Sequence, residues 1–436
     1  MNSGPQDAVL GRLLDGLRDE LASWRALTTR RAPRSGARNA PPPLEKHHSQ
    51  LLAVEVMLTE GLSDARARLA AGERSGLPVL VLDLHHVWDY FRSKFALRRM
   101  TEYRDCLDAA DEIAWSCYEA PLTVALGVEG TPAKEPPLVS FSREAAPRAH
   151  RRGGQYRELL PRGGIHTSEG ARLARSLPFP VIDIPWYYGS HLPALLTVAH
   201  EAGHHIEDDF ALTPEIGRRL ASAALPPEEL PRWRRWAGEV FADVCATLVC
   251  GAAYPGVLAE VLATLGPGET AADAAGPGEH PPPDVRTGVC AAVLARVGAD
   301  TGPVPPGPDT PCRAGYAEVA RALLDGGYER LGGRSLPRLL CPRPRPDADP
   351  EYAGTVEAGL LLSGMPTGHP RIPGVLAAAS LAFLMDPGEY ESRAVGARAV
   401  AEALALRPRG ARRAPDTAAR PDAAAAGRRL LSALRQ

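Results

Sequence analysis

Residues 195–210 read LLTVAHEAGHHIEDDF, and no other stretch limits the chain's possible folds so sharply. An apolar run leads straight into His200, Glu201, His204 and His205, and then into Glu207, Asp208 and Asp209. On a helix, residues four apart lie on one face a turn apart, so the imidazoles of His200 and His204 can hold a single ion. Glu201 stands beside the first of them, within reach of a water on that ion. Leu195, Leu196, Val198 and Ala199 give the preceding turns the apolar body a buried helix needs. Gly203 costs a helix about 1 kcal/mol relative to Ala; close approach of another backbone, or of a substrate, would account for it. His205 follows His204 directly, so it faces away from the ligand side and is expected to make a packing or supporting contact. Glu207, Asp208 and Asp209 read as a solvated helix end.

A zinc ion that keeps one position open for water needs three protein ligands, so a third must come from elsewhere. The stretch RWRRWAGEVFADVCATLVCG, residues 232–251, supplies a candidate. Glu239 and Asp243 are four apart among Val240, Phe241, Val244, Leu248 and Val249. Carboxylates in such a helix are costly to bury unless they meet a cation or a hydrogen-bonding partner. The economical assignment makes Glu239 the third ligand. Asp243 then accepts a hydrogen bond from a ligand histidine and fixes its ring. The competing reading, an acidic stripe on a surface helix, sits poorly with apolar flanks.

HEAGH followed by EVFAD resembles the gluzincin branch of zinc metallopeptidases, whose pattern is HExxH and then ExxxD. The ExxAD form is similar to that of the CAAX-prenyl-endopeptidase superfamily. EHPPPDVR adds to the likeness: His280 and Arg286 keep the spacing of that superfamily's HPP segment and its arginine. The resemblance covers roughly residues 180–295. It implies a zincin-like core, a Zn2+ ion on His200, His204 and Glu239, and Glu201 as general base. It further implies an oxyanion donor, for which His280, Arg286, Tyr187, Tyr188 and His369 are candidates, with His280 carried as the catalytic one. The rival role for His280 is to cap a helix beginning near Asp284. The likeness also suggests VIDIPWYY as an edge strand that pairs with an extended peptide. Trp186, Tyr187 and Tyr188 would then line the cleft or, as aromatics more often do, pack in the core. Many members of that superfamily span membranes, whereas this chain has no run of 18 apolar residues. That points away from prenylated membrane substrates and leaves the soluble gluzincins as the comparison, with a peptide or protein as substrate.

The rest of the chain places these motifs in an α+β, predominantly helical fold with a small sheet beside the HExxH helix. Helical periodicity covers residues 6–29, 44–72, the long stretch after 90, and roughly 192–209, 228–251 and 285–297. Strand candidates are LPVLVLDL (77–84), PLVSFS (137–142) and FPVIDIPWYY (179–188). Segments rich in Gly and Pro punctuate the chain at 30–43, 265–283, 299–312 and 341–350. The expected organisation is an N-terminal helix and linker (1–43), a helical region with short strands (44–175), the catalytic core (176–300), a C-terminal helical region (301–407) and a low-complexity tail (408–436). In DLHHVWD (83–89), adjacent His85 and His86 point to different faces, so they make no metal pair on one helix and read as structural.

The net charge of −2 gives no pull toward nucleic acid or an anionic membrane. Seven scattered cysteines without a CxxC pair argue against a disulfide framework and for a reducing cytoplasm. Cys245 and Cys250 read as core residues. Arg-rich, Lys-poor composition with abundant Ala, Gly and Pro suggests a GC-rich, bacterial source. The expectation is a cytoplasmic zinc metallopeptidase. The alternative is a binding or regulatory protein that keeps a structural metal site. A further variant of the first reading is a narrow processing protease whose N-terminal half recognises one partner.

Overall fold

A computed structural model describes residues 4–29, 47–128, 134–151, 168, 179–264, 280–300, 313–345 and 348–407. The linker at 30–43, most of the loops at 265–283 and 299–312, and the tail from 408 lie outside the described residues. The chain is predominantly helical with one small sheet.

Four helices come first: α1 (Pro5–Thr29), α2 (His48–Ala71), α3 (Leu77–Leu97) and α4 (Thr101–Ala125). The strand expected at 77–84 is instead the start of α3. LPVLVLDL alone fits either state, because a short apolar run has no decisive period. Its buried residues Leu77, Leu80, Val81, Leu84, Val87, Trp88, Phe91 and Phe95 continue one helical stripe. Gly76 and the proline of the first turn set where it begins. His85 Nε2 lies 3.2 Å from the Leu13 carbonyl, tying α3 to α1.

Strands β1 (Leu138–Ser142), β2 (Arg148–His150) and β3 (Val181–Pro185) form a sheet of order β1-β3-β2. β1 runs parallel to β3 with Leu138 opposite Val181, and β2 runs antiparallel with His150 opposite Val181. Side chains alternate across a strand, and the sheet uses both faces. Leu138 and Val181 join a core with α1, α2 and α3. Val139, Phe141, Ile182 and Ile184 join a larger core made with the remaining helices. The sheet therefore includes strands from either side of residue 175. β3 is its central strand, so VIDIP is not the expected edge: β1 and β2 already occupy its two sides. Pairing order depends on segments about 40 residues away, which local pattern does not report.

Two short 3₁₀ turns, Trp186–Ser190 and Leu192–Leu196, lead from β3 into α5 (Thr197–Asp209). Then follow α6 (Thr213–Ala221), α7 (Leu230–Arg235), α8 (Ala237–Cys250), α9 (Ala253–Thr264), α10 (Pro283–Val297) and α11 (Arg313–Leu324). The C-terminal part adds α12 (Leu336–Leu340), α13 (Thr355–Leu362), α14 (Ile372–Met385), α15 (Pro387–Ser392) and α16 (Val395–Ala405). α8 runs through the centre of the larger core, and every residue from Val240 to Cys250 is buried. Full burial of a side chain such as Phe241 or Leu248 contributes about 1.5–3 kcal/mol, which helps offset the cost of carrying two carboxylates inward. Cys245 and Cys250 are core residues, 0% and 1% exposed.

Candidate metal centre

α5 and α8 bring the predicted ligands together because Gly203 lets them touch. A Cβ at position 203 would stand 2.7 Å from the Ala242 Cα. Of the two explanations for this glycine, backbone approach is the one observed. The approach sets the HExxH turn of α5 directly over the EVFAD turn of α8.

His200, His204 and Glu239 each offer a ligand atom to one point, and these atoms all lie within 4.8 Å of one another. The two Nε2 atoms are 3.2 Å apart. Glu239 Oε1 is 3.2 Å from His204 Nε2, and its Oε2 is 3.4 Å from His200 Nε2. Among the described residues this is the one group of three or more His, Cys, Asp or Glu side chains so arranged.

Asp243 fixes the first imidazole. His200 Nδ1 donates to Asp243 Oδ1 at 2.8 Å, which leaves the Nε2 lone pair for the common point. Asp243 is itself fully buried and fully engaged. Arg286 donates to it twice, from Nε at 2.8 Å and from a terminal nitrogen at 2.7 Å, and the Tyr254 hydroxyl donates at 2.6 Å. Burial alone would raise the Asp243 carboxyl, but the Arg286 charge and the donors around it hold it well below the usual carboxylate range. Tyr254, on α9, was missed at the sequence level. It carries no motif, and only folding sets it against Asp243.

Electrostatics distinguish the ligands from ordinary core histidines. Burial opposes the charged form of His200, yet the charge and hydrogen bond of Asp243, with a hydrogen bond from Glu239, push its pKa up to about 10. His204 is raised by Glu239 against the same burial. Glu239 would be raised by burial but is held well below its ordinary value by the His204 charge and by donors from three histidines. The site thus concentrates negative potential on the two rings, as a cation-binding point requires.

Glu201 is 7% exposed, and its carboxylate makes no hydrogen bond or ion pair with a described residue. Neither oxygen is a sealed, unmet atom, so the carboxylate is free to take a water.

The oxyanion candidates separate clearly. His280 does not cap α10, whose N-cap is Pro282; its Nδ1 lies 3.2 Å from Glu239 Oε2. Arg286 is committed to Asp243. Tyr187 is 48% exposed and donates to the Ala145 carbonyl. Tyr188 is buried, and burial followed by the charges of Tyr187, Glu201 and Glu260 raises its pKa, which sets it electrostatically beside the general-base candidate. His369 lies beside Val249 and Cys250 at the far end of α8, ten residues and so about 15 Å along the axis from Glu239. Trp186 does not enter the core: it is 41% exposed and stacks on Phe141 at 4.8 Å.

The acids after the motif differ from expectation too. Glu207 and Asp209 are buried rather than solvated. Thr213 donates to Glu207 at 2.8 Å, the Tyr118 hydroxyl donates to Asp209, and Lys134 lies 3.5 Å from Asp209. His205 behaves as expected, with Nε2 3.3 Å from the Val181 carbonyl, joining α5 to β3.

No known protein family, curated protein or solved structure matches the chain. No helix among the described residues is long and apolar enough to cross a membrane.

Proposed function

We propose that the protein is a zinc-dependent metallopeptidase of gluzincin type, hydrolysing peptide bonds in a soluble peptide or protein, with a zincin-like core built on α5 and α8. The observation that carries this reading is the convergence of His200, His204 and Glu239 beside a partnerless Glu201. Zinc bonds to nitrogen and oxygen run about 2.0–2.2 Å in tetrahedral geometry, which spaces ligand atoms about 3.3 Å apart. The ring-to-ring and ring-to-carboxylate separations of 3.2–3.4 Å fit that spacing.

Zinc held there would supply a lowered pKa for its water and polarisation of the scissile carbonyl. The remaining chemistry belongs to the chain. Glu201 accepts the proton of the attacking water and delivers it to the leaving amine. Asp243, clamped by Arg286 and Tyr254, holds His200 in the Nδ1–H tautomer. His280, 3.2 Å from the Glu239 carboxylate, steadies it. The Tyr188 hydroxyl, buried and without a hydrogen-bond partner, is kept as the aromatic candidate for the oxyanion donor. Six described cysteines are free thiols, which supports a reducing, cytoplasmic setting.

Metal analysis with a peptide-library assay on wild type and Glu201→Gln tests the reading. The expected result is near one zinc per chain in both proteins, with hydrolysis reduced about 10²–10⁴-fold in the variant. Equal cleavage by both would remove catalysis. Bound zinc with no cleavage by wild type would favour the regulatory alternative.

A further inference from the structure

At the end of α8 remote from Glu239, a small recess open to solvent is lined by residues that include His369, Arg371, Gly374 and Tyr352. Its cationic groups are incompletely partnered. The Arg371 guanidinium makes no hydrogen bond or ion pair with any described residue, and burial pushes its pKa below the usual arginine value. His369 is 8% exposed, and its Nε2 is buried without a partner. Arg343, which neighbours Pro342 of the lining, donates one terminal N–H to Ala348 and leaves its Nε buried and unmet.

The His369 tautomer can be assigned. The Arg371 backbone N–H lies 3.2 Å from His369 Nδ1, and an amide N–H only donates. The reverse arrangement, with Nδ1 donating to the Arg371 carbonyl at 3.2 Å, would set two N–H groups against each other. Nδ1 is therefore the acceptor, and Nε2 carries the unmet proton. The ring lies against the first turn of α14, where a Cβ at Gly374 would come within 2.0 Å of it. That 14-residue helix has no side-chain cap and carries Pro373 in its first turn, and Val375 already donates to Arg371, so the first-turn N–H groups that remain to seek an acceptor are those of Ile372 and Gly374.

We propose that this recess binds a small oxyanion, held by the Arg371 guanidinium, the His369 Nε2–H and the N-terminal turn of α14, with Arg343 adding charge. The buried unmet atoms there are donors, and the one carboxylate in the lining, Glu351, is exposed and forms no ion pair with them. The proposal is independent of the metal reading.

Thermal melts of the full chain in sulfate, phosphate or acetate up to 10 mM, with chloride at matched ionic strength as reference, test it. At least one oxyanion should raise Tm saturably by about 2–4 °C, and the oxyanion giving the largest rise identifies tetrahedral or planar preference. Arg371→Gln should lose the rise, whereas binding at the metal centre or a generic salt effect would leave it intact. A rise no greater than with chloride, or one unchanged in Arg371→Gln, overturns the proposal. Should that variant fail to fold, the His369 Nε2 proton in wild type is the second readout. Its NMR resonance should shift with the same saturation and exchange more slowly, and an unmoved resonance is equally decisive against the site.

Discussion

Two buried polar clusters lie on opposite sides of this molecule's chemistry. In the first, Arg98 and Asp111 are both fully buried and meet through two arginine nitrogens at 2.8–3.2 Å. Arg98 also donates to the Lys94 and Val139 carbonyls, while Asp111 accepts from the Val139 amide. His47 Nε2 also lies 3.1 Å from Arg98 Nε and 3.2 Å from Asp111, but the arginine's own donors already meet the carboxylate, and the cluster is complete without anything added. In the second, two imidazole nitrogens and a carboxylate, all acceptors when neutral or ionised in the ordinary way, face one another across 3.2–3.4 Å. Only protons or a metal ion reconcile them. Burial and charge are similar in the two clusters, so neither marks a functional site. What separates them is whether the lone pairs already have hydrogens to receive.

The strongest way to break that comparison is to cut each cluster once. Asp111→Ala strands a buried guanidinium, and removing one partner of a buried pair costs about 3–5 kcal/mol. It should lower Tm or the denaturant midpoint steeply yet leave metal affinity in the folded fraction unchanged. His204→Ala should do the reverse, abolishing stoichiometric zinc binding with a much smaller loss of stability in chelator. If both substitutions changed stability alone, the second cluster would be another structural clamp.

Asp243→Asn sharpens the boundary between the clusters, since Asp243 resembles Asp111 in its bidentate arginine but touches a ligand ring. An asparagine keeps the volume and loses the charge that orients and polarises His200. Metal affinity should fall about 10–100-fold, measured by competition with a chelating dye. Unchanged affinity would make the Arg286–Asp243 pair purely structural.

How far these features were legible in the sequence follows from the range of the interaction behind each. HExxH and ExxAD could be read because four-residue spacing on a helix fixes a shared face, whatever the rest of the chain does. The apolar flanks of Glu239 added that its helix is buried. Gly203 signalled a close approach without naming Ala242. Where the answer depended on distant partners, reading failed. Asp209 is buried by Tyr118, which is 91 residues away, and nothing near Asp209 announces that. LPVLVLDL was ambiguous until the stripe continued to Phe95. The central position of β3 was set by two strands whose pairing no local period encodes, and Arg286 stood among the oxyanion candidates until Asp243 claimed it.

Protons offer the finest distinction between the clusters. The Arg98–Asp111 pair brings its own hydrogens and needs no added proton to close. His200 differs: its pKa in the folded, metal-free chain is pushed up to about 10, above the unfolded value near 6.5. A group raised by folding contributes stability that is complete below the unfolded value and disappears as pH rises through the folded one. His204 shifts in the same direction. Chelator-treated protein should therefore lose stability progressively between about pH 6.5 and 10. Metal requires both rings neutral and competes with those protons, so zinc binding should release protons and tighten over the same interval. Melts with and without chelator should show a gap in Tm that widens with pH. A gap independent of pH would mean that the two rings carry no extra protons in the metal-free fold, and the contrast with the Arg98 clamp would then rest on geometry alone.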